Sequence, residues 1–285
     1  MAIFHVTLYI SKNQSLFTFH EVSEVTNIEK NLLSLQDRIF VSSNYTKNIF
    51  NLNGLDNVTH VPLGFDNDFQ ITNKTYLQDK IHFGILGKFE NRKNTARIIK
   101  SWLKLFGNKP EYQLSCAITN PFLDKARFQN ELLKVLEGKQ YNNLNFVPYM
   151  QTNSEVNDYL NSIDIDLGGL SGAEGWNLPS FNATALGKWS VVINATAHKD
   201  WATKDNSILI EPSSLKDCYD DVFFKKGQSF NQGQFFDISD QEMDNAILKS
   251  LSYAKTPNPE GLKLQKQFTY EKTVETILCA ISSQM

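Results

Sequence analysis

The chain has 285 residues, 41% hydrophobic and 21% charged, with a formal net charge of -3. That length holds one large domain or two small ones around a packed core. The charge balance gives no support to a sustained nucleic-acid or polyanion surface. Three scattered cysteines, Cys116, Cys218 and Cys279, show no CxxC spacing, and the five histidines do not cluster. No disulfide framework or metal site is expected, and a reducing cytoplasm fits. No apolar run approaches the ~20 residues of a membrane helix, so no membrane span is expected.

The opening MAIFHVTLYISKNQ lacks a basic start and a long apolar stretch, and reads as a strand over 3–10 rather than a signal peptide. Further strands are predicted over 16–19 and 38–41, with short helices over 27–36 and from Asn44 onward. VTHVPLGFD is a strand and a turn, and the polar stretch 67–79 then sets a boundary between a domain over 1–70 and a second over 71–285. IHFGILGKF reads as a buried strand and ENRKN as a turn. A helix capped by Asn94 follows, with Ile98, Ile99, Trp102, Leu103 and Phe106 on one face and Gly107 at its end. YQLSCAIT, NLNFVPYM, IDIDLGGL, WSVVIN and NSILIEP continue the strands. Helices are predicted over 128–136, 154–162, from Pro179 to Gly187, 240–254 and 269–283. This alternation predicts an α/β fold with a parallel, doubly wound sheet.

The strongest chemical signal is GGLSGAEGWNLPSFNATALG, residues 168–187: a strand end, a Gly-rich turn and a helix start. Ligands of open α/β sheets bind outside the carboxyl ends of strands, where turn amides hold phosphates or hydroxyls. Glu174 lies in the turn and Asn182 about one turn into the helix. In GILGKFENRKN, Lys88 stands at a strand end and Lys93 before a helix start, where two cations would stabilise a diphosphate. Arg92 is an alternative ligand.

Glu174-Gly175-Trp176-Asn177-Leu178-Pro179, the helix to Gly187 and the strand SVVIN resemble the signature of the retaining "group 1" glycosyltransferases. That signature has Gly at the place of Asn177 and a second Glu at that of Asn182. Gly87-Lys88, four residues, then Lys93 is similar to the family's Gly-Arg, four residues, Lys, with Lys88 for the Arg. The resemblance implies a GT-B fold: two Rossmann-like parallel-sheet domains, the N-terminal one truncated and acceptor-side. Short members of this look occur in tailed phages. It implies transfer, with retention and without a metal or other cofactor, from a nucleotide-diphosphate sugar to an unknown glycan, protein or modified-base acceptor. A partner subunit or oligomer would complete the short first domain.

By the same resemblance, Glu174 binds the donor sugar, Asn182 faces the ribose, and Gly87, Arg92, Gly172, Gly175, Trp176, Asn177 and Leu178 surround the donor. Lys88 and Lys93 hold the leaving diphosphate. His20, after the apolar SLFTF, matches a His that many members place near the transferred sugar; Glu21 and Glu24 are weaker candidates. Residues 62–66 resemble the interdomain passage, and the last helix one that returns toward the first domain. The loop from His198 to Trp201 lies at the carboxyl edge as a possible donor or acceptor contact. Two alternatives stay open: a nucleotide-sugar-binding relative without activity, and a metal-dependent GT-A transferase using Asp164 and Asp166, which would share one strand face.

Overall fold

A computed structural model describes residues 13–72, 74 and 76–282; the strand expected over 3–10 lies outside them. The first elements are β1 (Ser15–Thr18), α1 (Asn27–Leu33), β2 (Arg38–Val41), α2 (Asn44–Leu52) and β3 (Val58–His60). Their strands make a parallel sheet in the order β1-β2-β3. Both helices begin at hydroxyl caps. Thr26 and Glu29 exchange backbone hydrogen bonds, and Ser43 accepts from the Thr46 N–H. These caps satisfy donors that a helix start otherwise leaves open. Leu33, Ile39, Val41, Phe50, Leu55 and Val58 form the small core.

The larger part contains β4 (Ile81–Lys88), α3 (Thr95–Phe106), β5 (Tyr112–Thr119), α4 (Lys125–Leu136), β6 (Leu144–Phe146), α5 (Asn153–Ser162), β7 (Ile165–Asp166), α6 (Leu178–Ala185), β8 (Trp189–Ile193) and β9 (Ser207–Ile210). Six parallel strands run in the order β6-β5-β4-β7-β8-β9. The winding reverses between β4 and β7, and that switch point is where such sheets open a crevice for ligands. Alternation along the strands divides the core. Phe83, Ile85, Leu114, Cys116, Ile165 and Val191 pack with Ile98, Trp102 and Phe106 of α3. Ala117 and Val192 face Tyr159, Leu160 and Phe181 of α5 and α6. Each fully buried large side chain contributes roughly 1.5–3 kcal/mol.

An antiparallel pair, β10 (Ser214–Asp217) with β11 (Gln234–Asp237), lies beyond the sequence expectation. The chain closes with α7 (Asp240–Ser250), α8 (Pro259–Leu262), α9 (Leu264–Gln267) and α10 (Tyr270–Ser282). The return of the last helix is anchored at the passage 62–66. The Phe65 N–H donates to Phe268 O (2.9 Å) and Thr273 Oγ1 to Pro62 O (2.7 Å). Gly64 has no room for a side chain there, because a Cβ would lie 2.4 Å from the Tyr270 nitrogen. No helix among the described residues is long and apolar enough to cross a membrane.

Asn94 departs from the expected cap. It precedes α3, but at φ 53° and ψ 18° its side chain makes no capping bond. It donates instead to Leu170 O (2.9 Å) and accepts from Lys216 Nζ (2.8 Å), tying the start of α3 to the loop after β7.

Candidate functional site

The two chain segments flanking the switch point converge. After β4, the turn Asn91–Lys93 brings Arg92 and Lys93 inward; after β7, the Gly-rich loop brings Glu174 to meet them. Glu174 is 3% exposed. Lys93 Nζ lies 2.6 Å from its Oε1, and Arg92 Nη1 lies 3.2 Å from its Oε2. The Arg92 guanidinium also pairs with Glu90 Oε1 (2.7 Å) and Glu21 Oε1 (3.0 Å), and donates to Ala173 O (2.5 Å). Two cations therefore share three carboxylates.

Burial alone would raise the Glu174 carboxyl, but Lys93 and Arg92 outweigh it and hold the group at about 2. Burial opposes the Arg92 charge too, and Glu21, Glu174 and Glu90 override it and raise its pKa. Glu21 goes the other way: desolvation raises its pKa despite Arg92.

The Glu174 group differs in membership from the sequence expectation. Lys88 is not at it; its Nζ lies over the Phe122 ring, 5.4 Å from the centroid. Strand neighbours point to opposite faces. Lys88 therefore leaves on the side away from Gly87, over which Lys93 passes: a Gly87 Cβ would stand 3.3 Å from Lys93 Cδ. Arg92 is the second cation at Glu174. His20 lies against Phe50 of α2, ring centroids 5.3 Å apart, with its pKa lowered by burial. Its neighbour Glu21 is the residue of that segment that reaches Arg92.

The loop itself is clamped on both sides. Gly172 N–H donates to Arg92 O (3.2 Å), and Gly172 O accepts from Phe236 N–H (3.1 Å). Gly175 O accepts from Ser42 Oγ at the end of β2 (2.5 Å). A Cβ on Gly175 would stand 2.7 Å from Phe19 Cδ1, so the segment after β1 sits directly on the loop. Trp176 is a core residue, edge-on to Phe181 and Phe268 with centroids 5.4 Å apart in both cases, and its carbonyl accepts from Trp201 Nε1 (3.0 Å). Leu178, the first residue of α6, is exposed.

Asn177, where the resemblance has Gly, adopts φ 65° and ψ 63°. Asn is one of the few side chains that tolerate this left-handed conformation. Its Nδ2 donates to Gly168 O (3.1 Å) and to His198 Nε2 (2.9 Å), while His198 Nδ1–H donates to Ile193 O (2.8 Å). His198 is therefore a neutral, buried strut, its pKa lowered by desolvation. Asn177→Gly is expected to cost about 1–2 kcal/mol in chemical denaturation although it relieves the backbone, because these buried bonds are lost. A variant as stable as the parent would show that the bonds contribute nothing.

Asn182 is 7% exposed and its Oδ1 has no partner among the described residues. It lines a cavity of about 230 Å³ with Leu178, Pro179, Gly64 and Asp66. Of the two aspartates of the metal alternative, Asp166 alone lies within β7. Asp164 precedes β7 and takes the His82 N–H (2.9 Å), whereas Asp166 is buried and takes the Gly168 N–H (3.0 Å). The loop from His198 to Trp201 contacts the smaller sheet unit: Asp200 accepts from the backbone N–H (2.9 Å) and Nδ2 (2.7 Å) of Asn44 at the start of α2. Among the described residues no group of three His, Cys, Asp or Glu side chains is arranged to hold a metal. Sequence reasoning missed Glu90 and Ser42, whose only signal was position, one in the turn after β4 and one at a strand end.

No family model and no curated protein matches the sequence. Solved structures match the fold. HepE (Alr3699) of Anabaena, in complex with UDP and glucose, superposes with a TM-score of 0.70 at 13% identity, over 95% of this chain and 72% of that one. For the sucrose-phosphate synthase tll1590 of Thermosynechococcus elongatus the values are 0.66 and 15%, over 90% and 60%. For the pneumococcal O-GlcNAc transferase GtfA, in complex with UDP and GlcNAc, they are 0.67 and 10%, over 95% and 52%. The chain thus spans 60% of the synthase and about half of GtfA. At these identities the likeness is one of fold: this chain has the GT-B fold of those glycosyltransferases, with parallel-sheet Rossmann-like units.

Proposed function

We propose that the protein is a glycosyltransferase that moves a sugar from a nucleotide-diphosphate donor to an acceptor hydroxyl, with retention and without a metal. Residues 71–285 hold the donor and residues 1–70 form the acceptor side. The observation that carries this reading is the buried Glu174 held by Arg92 and Lys93 at the switch point of a GT-B sheet. HepE and GtfA were solved with UDP, which supports a uridine nucleotide.

In this mechanism Lys93 exchanges Glu174, and Arg92 exchanges Glu21, for the donor phosphates, and both cations stabilise the charge that develops as the glycosidic C–O bond breaks. Glu174, released, accepts hydrogen bonds from sugar hydroxyls. The unpartnered Asn182 Oδ1 accepts one from a ribose hydroxyl. The acceptor oxygen bonds to the anomeric carbon on the face that the phosphate leaves, and the phosphate takes the acceptor's proton. Closure of the smaller unit over the loop excludes water and aligns the acceptor.

A second reading, a nucleotide-sugar binder without transfer, is favoured by one feature. Glu21 and Phe19 already occupy the space against Arg92 and Gly175. Thermal shift with UDP, GDP and their sugar conjugates, with and without chelator, tests the donor site. At a hundredfold excess over Kd the midpoint is expected to rise by roughly 5–10 °C. The rise is unaffected by chelator and lost in Lys93→Ala. No rise with any nucleotide overturns both readings. A rise without sugar release or transfer selects the second, and loss of the rise on chelation removes metal independence.

A further inference from the structure

We propose that the open face of β5 and β6 is a binding site for a neutral oligosaccharide, separate from the Glu174 site. Doubly wound sheets carry helices on both faces. Here α5 and α6 pack against the β4–β7–β8 part of one face and against Ala117 of β5, and among the described residues no helix covers the amino-terminal part of β5 and β6, which floors a groove of about 780 Å³. That volume is in the range of small-molecule sites. The sequence provides for it: Gln113, Ser115 and Asn145 fall on the groove face, and their neighbours Leu114, Cys116 and Leu144 pack into the core on the other.

The polar floor is fixed in place. Ser115 Oγ and Gln113 Nε2 both donate to Asn145 Oδ1, at 2.6 and 3.1 Å. The buried His82 lies with Nε2 2.7 Å from Ser115 Oγ and Nδ1 2.7 Å from Ser162 O. Asn145 Nδ2 and Gln113 Oε1 have no protein partner among the described residues and offer a donor and an acceptor side by side. That pairing matches adjacent hydroxyls. Tyr149 forms one wall with 74% of its surface exposed, and the buried Tyr76 hydroxyl on the wall has no partner among the described residues. An exposed aromatic beside planar amides suits the mixed apolar and hydroxyl faces of a sugar ring.

Charge excludes other small ligands. Among the described residues no Lys or Arg lines the groove. Of its two carboxylates, Asp158 pairs with Lys74 (2.8 Å) and Glu155 caps α5. Nothing here neutralises a phosphate or carboxylate, and neither carboxylate is free for a cation. His82 and Gln113 stand near the amino-terminal ends of their strands, roughly 20 Å along β4 from the turn carrying Arg92 and Lys93.

The test needs no transfer activity. Maltotetraose, cellotetraose and chitotetraose are titrated into the nucleotide-free protein, followed by calorimetry and saturation-transfer NMR. At least one is expected to bind saturably. Affinity should fall about tenfold or more in Tyr149→Ala and in Gln113→Ala, stay within about threefold in Tyr149→Phe, and be unchanged by UDP. No saturation with any of the three at about 10 mM overturns the proposal. So does binding indifferent to both alanine variants, or displaced by UDP. Because the donor assay reads a different ligand, failure of one leaves the other standing.

Discussion

Glu174→Gln is expected to lower glycosyl transfer by roughly 10²–10³-fold, measured as turnover with a UDP-sugar. Gln keeps the shape of the side chain and removes its charge. Two consequences follow from the geometry. Lys93, 2.6 Å away, loses its carboxylate, whereas Arg92 keeps Glu90 and Glu21. The fold also becomes less stable. Glu174→Ala would break a buried ion pair, a loss of roughly 3–5 kcal/mol, and would confound activity with unfolding. The pH dependence separates the effects. The native Glu174 carboxyl sits at about 2 against an ordinary 4.5. Its stabilisation is therefore complete above about 4.5 and lost as pH falls toward 2, about 3 kcal/mol in all. Glu174→Gln should lack that acid limb in denaturation curves taken across the range. Unchanged turnover in a folded Gln variant would sink the proposed role.

What could be read in advance followed from local chemistry. YQLSCAIT and WSVVI are strands because their alternating and apolar runs have nowhere else to go, and α6 starts where Pro179 permits it. The Gly-rich turn was legible because a backbone so bare is needed where Ser42, Phe19 and Phe236 close on it. The partners that close on it were not legible. Which of Lys88, Arg92 and Lys93 faces Glu174 depends on how a three-residue turn folds and on which side of β4 each side chain leaves. Sequence spacing cannot fix that. His20 stands ahead of Glu21 only on the family resemblance. The structure turns the imidazole toward Phe50 and leaves the adjacent carboxylate to meet an arginine more than seventy positions away in the chain. The segments after β1 and β2 gave no sign of how tightly Phe19 and Ser42 would sit on the loop, because those contacts are long-range.

Glu21→Gln is expected to tighten binding of a UDP-sugar about tenfold, or ~1.4 kcal/mol, by calorimetry. Arg92 is 5% exposed and holds three carboxylates within 3.2 Å. A diphosphate reaches it only by replacing one of them. Glu90 is two residues away on the same turn and Glu174 has its role at the donor sugar in the proposed function, so Glu21, carried by the segment after β1, is the carboxylate a diphosphate would replace. Removing its charge spares the donor that competition. Burial raises the Glu21 pKa, so its charged form is held at a cost. A carboxyl raised in the native state contributes stability at low pH that is lost as pH rises through its native pKa. At neutral pH the Gln variant should therefore melt no lower than the parent. For the same reason the affinity gap should narrow as pH falls, because protonated Glu21 resembles Gln. A UDP-sugar is the right probe, since its diphosphate is a diester with no proton to gain in that range. Weaker binding in Glu21→Gln would make this carboxylate a support for Arg92 rather than its competitor. A gap that stays constant from neutral pH downward would detach the effect from the Glu21 charge.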